Sequence, residues 1–487
     1  MNWRTRIFCL ALTLACLAMG SSLADAADPG DQLTDYSKSS WTEAFDLLHR
    51  RFSSEYAFSE WKGIQWDRLA SEARPVIEQA QETGDLEAYY LALRKYVNAI
   101  PDGHVRMSFL PEIDQKHVGG GFGFAPVLLA DGTVIAAWVG EGTEAYSAGL
   151  RAGDELIHWN NRPVREAIDA ASAIFASNAA TDEDALLKRT AYFARAGAGS
   201  QGMLLFRNAS GETVSAALTA YDDEMVTIFK VYPSAVVSDR LREMILGAHS
   251  DAPPLAGMVT SDMMDDHIAY IRVWGELDLD LSGTGSAPST VALFQSAVEE
   301  AVRSGRDKMI LDLRNNVGGL DEMSAALLGS FYGEPAFYEY QNDYGYQAGT
   351  RRIIRAMPES EALMITPADT VFTGRVIALI NQKCVSSGEG LAQGIRNLQN
   401  GDTLGFYGTN GSYGLTGSEA VMPEGLTVAW PAGQSLDHDR NIQIDSRNGA
   451  GGIEPTIRIP MTRENALMVA RGEDVELREA IRILKEK

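Results

Sequence analysis

Cysteine is scarce in this chain of 487 residues: there are three, and two of them, Cys9 and Cys16, fall in the first 26 residues. Once that leader is removed Cys384 stands alone, which excludes an intramolecular disulfide framework. Basic residues are in deficit, 42 against 66 acidic ones, for a net charge of −24. That balance disfavours nucleic acid and anionic membrane surfaces as partners and favours solubility. After the amino terminus no stretch is apolar enough to read as a membrane span. Between Ser386 and Lys485 there is no lysine. The sequence shows no internal repeat, no low-complexity tract and no metal-ligand cluster, so no metal or organic cofactor is called for.

What is present describes an ordered protein. Hydrophobic residues make up 45%, charged residues 22%, and there are 8 tryptophans, a composition able to bury substantial cores. The length is too great for one core and predicts two to four domains. Residues 1–26 read as an export signal: Arg4 and Arg6, an apolar run from Ile7 to Met19, then Ala24-Asp25-Ala26 before a cut at Ala27. The run is shorter than the ~20 residues of a spanning helix, and Thr13-Leu14 is a poor lead-in for a lipidated Cys16. The mature chain is therefore expected in the periplasm or outside the cell.

Residues 27–106 predict a helical domain, with Trp41, Ala44, Phe45 and Leu48 at helical spacing and Tyr89, Leu91, Leu93 and Tyr96 in a second apolar pattern. It ends at IPDGHVRMSF, where Pro101 and Asp102-Gly103 force a turn. Residues 107–220 change texture to a β-rich module. Asp131-Gly132 predicts a hairpin, AIDAASAIF the start of a helix, and MLLFRNASGETVSAAL a closing hairpin. Residues 221–487 contain a linker-like DAPP and then three buried-strand runs, HIAYIRVWG, KMILDLRNN and RVIALINQ, separated by helix-length segments. That alternation predicts an α/β layer.

Two strand-to-helix corners in this last region carry chemistry. In NQKCVSSGEGLAQGI (381–395), serines and a glutamate follow an apolar strand; in RNNVGG (314–319), asparagines and glycines do. Backbone N–H groups at such helix starts suit an oxyanion, and a hydroxyl lifted into the same cleft suits a nucleophile. Cys384 is the alternative nucleophile, though its place at the end of an apolar run favours a packed thiol. A serine requires a base. Of the seven histidines, His104 lies in a rigid Asp-Gly-His turn rather than on a helix face.

With these residues in view, the chain resembles the C-terminal processing (tail-specific) serine peptidases, and within them the histidine-using branch that includes tricorn-like enzymes. Four motifs in order carry the resemblance: DGH, a PDZ-like module, DLRNN-x-GG with SSGE, and GGIEPTIRI near the carboxyl terminus. It implies an α/β catalytic core of the layered crotonase/ClpP-like kind, an N-terminal helical domain and an inserted β-rich PDZ domain. It also implies Ser386 as nucleophile, His104 as general base and acid, and an oxyanion hole from Ser387 with Gly318 and Gly319. Asp312 and Arg314 would brace the oxyanion turn. Lysine-using members carry their lysine about 25 residues after the serine, where this chain has Gly411 or Ser412, so a Ser-Lys dyad is not supported. Tricorn-like members place an auxiliary serine beside the histidine, and here Gly103 occupies that place. Glu454, Asp102 and Glu389 are the acids available to orient His104, with Glu454 favoured by its position in GIEP. Gly121, Phe122, Gly123 and Phe124 align with the PDZ loop that receives a peptide carboxylate.

The expected function is an exported serine endopeptidase acting on unstructured or C-terminally recognised polypeptides, with a peptide or protein as its partner. The alternatives are a catalytically inactive relative that binds hydrophobic ligands, as the interphotoreceptor retinoid-binding protein does, and a PDZ-based peptide-binding adaptor.

Overall fold

The computed structural model describes residues 34–233, 257–264, 267–278, 287–347 and 350–486. The export signal and the DAPP linker lie outside them. Near the amino terminus three helices, Trp41–Glu55, Trp66–Thr83 and Leu86–Asn98, form where the apolar spacing predicts. Their ends follow local chemistry: the Ser40 and Asp85 side chains accept the backbone N–H groups of Glu43 and Ala88, and Gly84, at φ 68°, closes the second helix. Ala44, Phe45, Leu48, Tyr89, Leu93 and Tyr96 face inward and are buried, and Trp41 stacks on Tyr89.

This helical layer is not a separate body. Phe52 stacks on Trp430 with ring centroids 4.8 Å apart, and its core continues into Ala420, Met422 and Val428 of a seven-stranded sheet. That sheet runs in the order Thr34–Asp35, Gly414–Val421, Thr427–Leu436, Ala336–Gln347, Thr350–Ala356. The short strand Arg106–Met107 also joins it, with Arg106 opposite Ala429 and Met107 opposite Val428. His104 is thus two residues from a strand pinned to the sheet.

The β-rich module forms a sheet ordered Thr213–Thr219, Gln201–Arg207, Glu155–Trp159, Val134–Val139, Phe124–Leu128. Both predicted hairpins are antiparallel, and their turn glycines, Gly132 and Gly211, have φ of 87° and 83°. AIDAASAIF departs from expectation: the helix is Val164–Asp169 and ends inside the segment. The chain then leaves the helix, and Phe175 stacks on His117 with centroids 5.4 Å apart.

The third region is a six-stranded sheet in the order Val259–Met263, Ile268–Val273, Lys308–Asp312, Arg375–Leu379, Gly401–Gly405, Ile457–Arg458, parallel except for its first pair. Alternate residues of its strands enter two cores. Ala269, Met309, Leu311, Val376 and Ala378 meet the helices Thr290–Arg303, Asp321–Leu328 and Ser387–Arg396, while Ile268, Ile310, Ile377 and Leu379 meet Arg463–Ala470 and Val475–Glu486. Burial on both faces is why these strands read as continuous apolar runs. The result is a mixed α/β fold in which both chemical corners lie at the carboxyl ends of adjacent parallel strands.

Candidate active site

The first corner follows Lys308–Asp312. Burial favours the neutral form of Asp312, but Arg272 and Arg314 outweigh it and hold the carboxyl well below the usual carboxylate range. Arg314, itself buried, binds Asp312 through Nε at 2.9 Å and Nη2 at 2.7 Å, and reaches Asp474 at 2.7 Å and Glu476 at 3.0 Å. This charge cluster anchors the start of the turn to the C-terminal helix. The turn then passes through two left-handed residues, Asn315 at φ 60° and Gly318 at φ 75°. Gly318 donates its N–H to Asn316 Oδ1 at 2.8 Å. Gly319 lies directly against the Glu276 carbonyl, a contact that leaves no room for a Cβ.

The second corner follows Arg375–Leu379. Ser386 adopts φ 58° and ψ −134°, a conformation costly for a residue with a side chain and one that accumulates at functional turns. It stands immediately before the helix Ser387–Arg396. The two corners touch: Val385 donates its N–H to the Asn316 carbonyl at 3.1 Å, and a Cβ on Gly318 would lie 2.6 Å from Ser386 Cβ. Ser387 is buried, its hydroxyl within hydrogen-bond distance of Asp321 at 2.8 Å and of the Gly319 carbonyl at 3.0 Å. Among the described residues, neither the Gly319 N–H nor the Ser387 N–H meets an acceptor, whereas that of Gly318 is taken by Asn316. Cys384 is fully buried, and burial pushes its thiol well above the ordinary value, which leaves it protonated and inert.

The loop 409–412 packs against the Ser386 corner. Glu389 Oε1 accepts the Thr409 hydroxyl at 2.6 Å and the Gly411 N–H at 2.8 Å, while Oε2 accepts the N–H groups of Ser412 at 3.1 Å and Ser386 at 3.2 Å. Burial pushes this carboxyl up to about 8 against those donors. Ser412 links nucleophile and base turns: its carbonyl accepts the Ser386 N–H at 3.1 Å and its hydroxyl accepts the Gly103 N–H at 2.7 Å. Sequence reasoning noted Ser412 only as an absent lysine.

His104 is nearly enclosed, with 12% of its side chain exposed. Burial lowers its pKa to about 4, outweighing the pull of Asp102, with Arg106 and Lys62 acting in the same direction as burial. Its Nδ1 has no hydrogen-bond partner and lies 3.8 Å from Asp102 Oδ1. Asp102 also accepts the His104 N–H at 2.9 Å and the Tyr56 hydroxyl at 2.7 Å. Glu454, the acid favoured from the sequence, is elsewhere: its side chain is 59% exposed and pairs with Arg458. The charges acting on His104 are those of Asp102, Arg106 and Lys62.

The predicted peptide-carboxylate loop is tightly packed. Gly121 belongs to the short strand Gly120–Gly121, paired on both sides. Phe122 and Phe124 point inward onto Trp159, with ring centroids at 4.8 and 6.0 Å, and Gly123 takes φ 83°. The Asp223 carboxylate lies against Gly121, with Arg195 holding its oxygens at 2.7 and 3.1 Å. The helix Asp182–Tyr192, from the long segment after Pro163, reaches the core: Glu183 accepts the Gly408 N–H at 2.9 Å, and Asp182 donates its N–H to Gly449 at 2.8 Å.

Residues 267–459, the sheet and both corners, match the model of peptidase family S41. That segment is similar to an S41 peptidase domain. With a serine at its strand-to-helix corner, the chain is a serine peptidase. The structure of mature CPAF complexed with lactacystin has the same fold, with a TM-score of 0.61 at 14% identity over 92% of this chain and 98% of that one. A second structure of mature CPAF gives 0.61 and 14% over 92% and 96%. These likenesses extend the shared fold beyond the S41 core to nearly the whole chain. No curated protein matches the sequence. Among the described residues there is no cluster of metal-ligating side chains, and no helix is long and apolar enough to cross a membrane.

Proposed function

We propose that this chain is an exported serine endopeptidase of the histidine-using kind, cutting unstructured or C-terminally recognised polypeptides. The observation that carries the reading is the double hold of Ser412 on Ser386 and Gly103, which ties the nucleophile corner to the base turn through one residue. Ser386 Oγ attacks the scissile carbonyl carbon while His104 removes its proton. The oxyanion that forms is met by the N–H groups of Ser387 and Gly319, with the dipole of the helix Ser387–Arg396 adding to the same field. Collapse breaks the C–N bond, and the amine leaves with the proton from His104. Water, deprotonated by His104, then hydrolyses the acyl-enzyme. Asp102 is the acid next to His104, which favours it over Glu454 for orienting the ring.

The lowered pKa keeps His104 neutral near neutral pH, at the expense of basicity toward the serine proton. The β-rich module is read as a PDZ domain from its sheet and glycine loop, and residues 1–26 as the export signal. Labelling by a fluorophosphonate probe tests the mechanism. The wild type is expected to label, and Ser386→Ala and His104→Ala are not. A folded wild type that never labels would support the ligand-binding alternative instead.

A further inference from the structure

One buried cation, named above only as a charge acting on His104, lies beside the turn that carries it. Lys62 is in the turn after the helix Trp41–Glu55, and its side chain is 2% exposed. Its ammonium donates to the Pro101 carbonyl at 2.8 Å and to Ser446 Oγ at 2.8 Å, and it forms an ion pair with Asp445 Oδ1 at 2.6 Å. Asp102 Oδ2 is 3.9 Å away. Each of these contacts leads to the site. Pro101 and Asp102 begin the turn that presents His104. Asp445 Oδ2 accepts the N–H of Tyr413 at 2.8 Å, and Ser446 donates its N–H to the Gly411 carbonyl at 2.9 Å, on either side of Ser412.

We propose that Lys62 is a positioning residue for His104, a tripod from the helical layer that fixes the Pro101–His104 turn against the 411–413 loop and sets the charge the imidazole meets through Asp102. The proposal rests on His104 acting as the base. A lysine so held is no rival base, because its ammonium is engaged by Pro101 and Ser446 and paired with Asp445. The charged and titratable groups around the ring are Asp102, Arg106 and Lys62, with Tyr56 on the far oxygen of Asp102 and Asp445 beyond Lys62. Removing the lysine charge removes a repulsion on imidazolium and frees Asp102 to act on the ring alone.

The test compares Lys62→Met and Lys62→Gln with the wild type and His104→Ala, reading fluorophosphonate acylation against pH together with urea unfolding. Both neutral variants are expected to fold. Their plateau rate should drop about 10- to 100-fold from misplacement of the base, and the acid limb should move to higher pH by about half a unit or more. A loss of rate with an unmoved limb in a folded variant overturns the proposal. So does failure of every neutral replacement to fold, since Lys62 would then be a structural ion only. If His104→Ala acylates like the wild type, the histidine reading itself fails. If His104→Ala is inactive and the Lys62 variants keep the native limb, only the present inference falls.

Discussion

Gly318→Ala separates the geometry of the nucleophile corner from ordinary backbone strain. Gly318 has φ 75° and Gly305, just past the helix Thr290–Arg303, has φ 79°. An alanine at either position costs about 1–2 kcal/mol for the left-handed backbone. The two differ in what a Cβ meets. At Gly305 there is nothing within 4 Å, whereas at Gly318 the added carbon would lie 2.6 Å from Ser386 Cβ and 2.8 Å from the Val385 carbonyl. Ordinary contact begins near 3.4 Å, so one corner must retreat by most of an ångström. Misplacement of a reacting group on that scale costs about 100-fold in rate. Gly305→Ala should therefore lose stability in urea and keep its acylation rate, while Gly318→Ala should lose a similar stability and at least about 100-fold in acylation. If Gly318→Ala is folded and acylates within a few-fold of the wild type, the corner is not positioned as described.

Cys384→Ala should keep most activity where Ser386→Ala loses several orders of magnitude, checked by peptide turnover; the reverse would mark a thiol enzyme. Because the base must be unprotonated, kcat/KM should fall as pH drops through the pKa of His104, and burial places that limb well below the ordinary ~6.5, toward about 4. The same depressed pKa means the unfolded chain binds the proton first, so this contribution to stability is present above ~6.5 and fades as pH falls toward about 4, readable in urea titrations across that window. Arg314→Met leaves Asp312 and Glu476 buried without their shared cation and should cost about 3–5 kcal/mol by urea unfolding.

What could be read from the sequence was local. Each corner is a strand, small or left-handed residues and a helix in a row, so RNNVGG and VSSGEG announce themselves within a few residues. His104 is legible for the same reason, since Pro101 and Asp102-Gly103 make a rigid turn whatever surrounds it. For what orients His104, a family position, Glu454, was weighed above a neighbour two residues away. The structure turns Glu454 outward to Arg458 and leaves Asp102 at the ring. Ser412 and Lys62 were invisible for a different reason. Each acts by joining segments separated by hundreds of residues, and nothing in their immediate neighbours marks that. The docking of the helix Asp182–Tyr192 on Gly408 and Gly449 was hidden in the same way.

The site is divided along the chain in a manner that bears on how its chemistry can vary. Ser386, Ser387 and Gly319 all lie inside the segment 267–459 that matches the S41 family, and so does the loop that Glu389 holds. His104, Asp102 and Lys62 lie outside it, the first two on a turn fixed by the pairing of Arg106–Met107 with Val428–Ala429 and by the ammonium of Lys62. The matched segment thus carries the candidate nucleophile and oxyanion donors, whereas the candidate base comes from the helical layer. Within the matched segment, Ser412 accepts the Gly103 N–H through its hydroxyl, so one residue of that segment meets the turn that carries the candidate base. Because the family match covers neither His104 nor its turn, the identity of the base rests on the geometry at His104 and Ser412 rather than on that match.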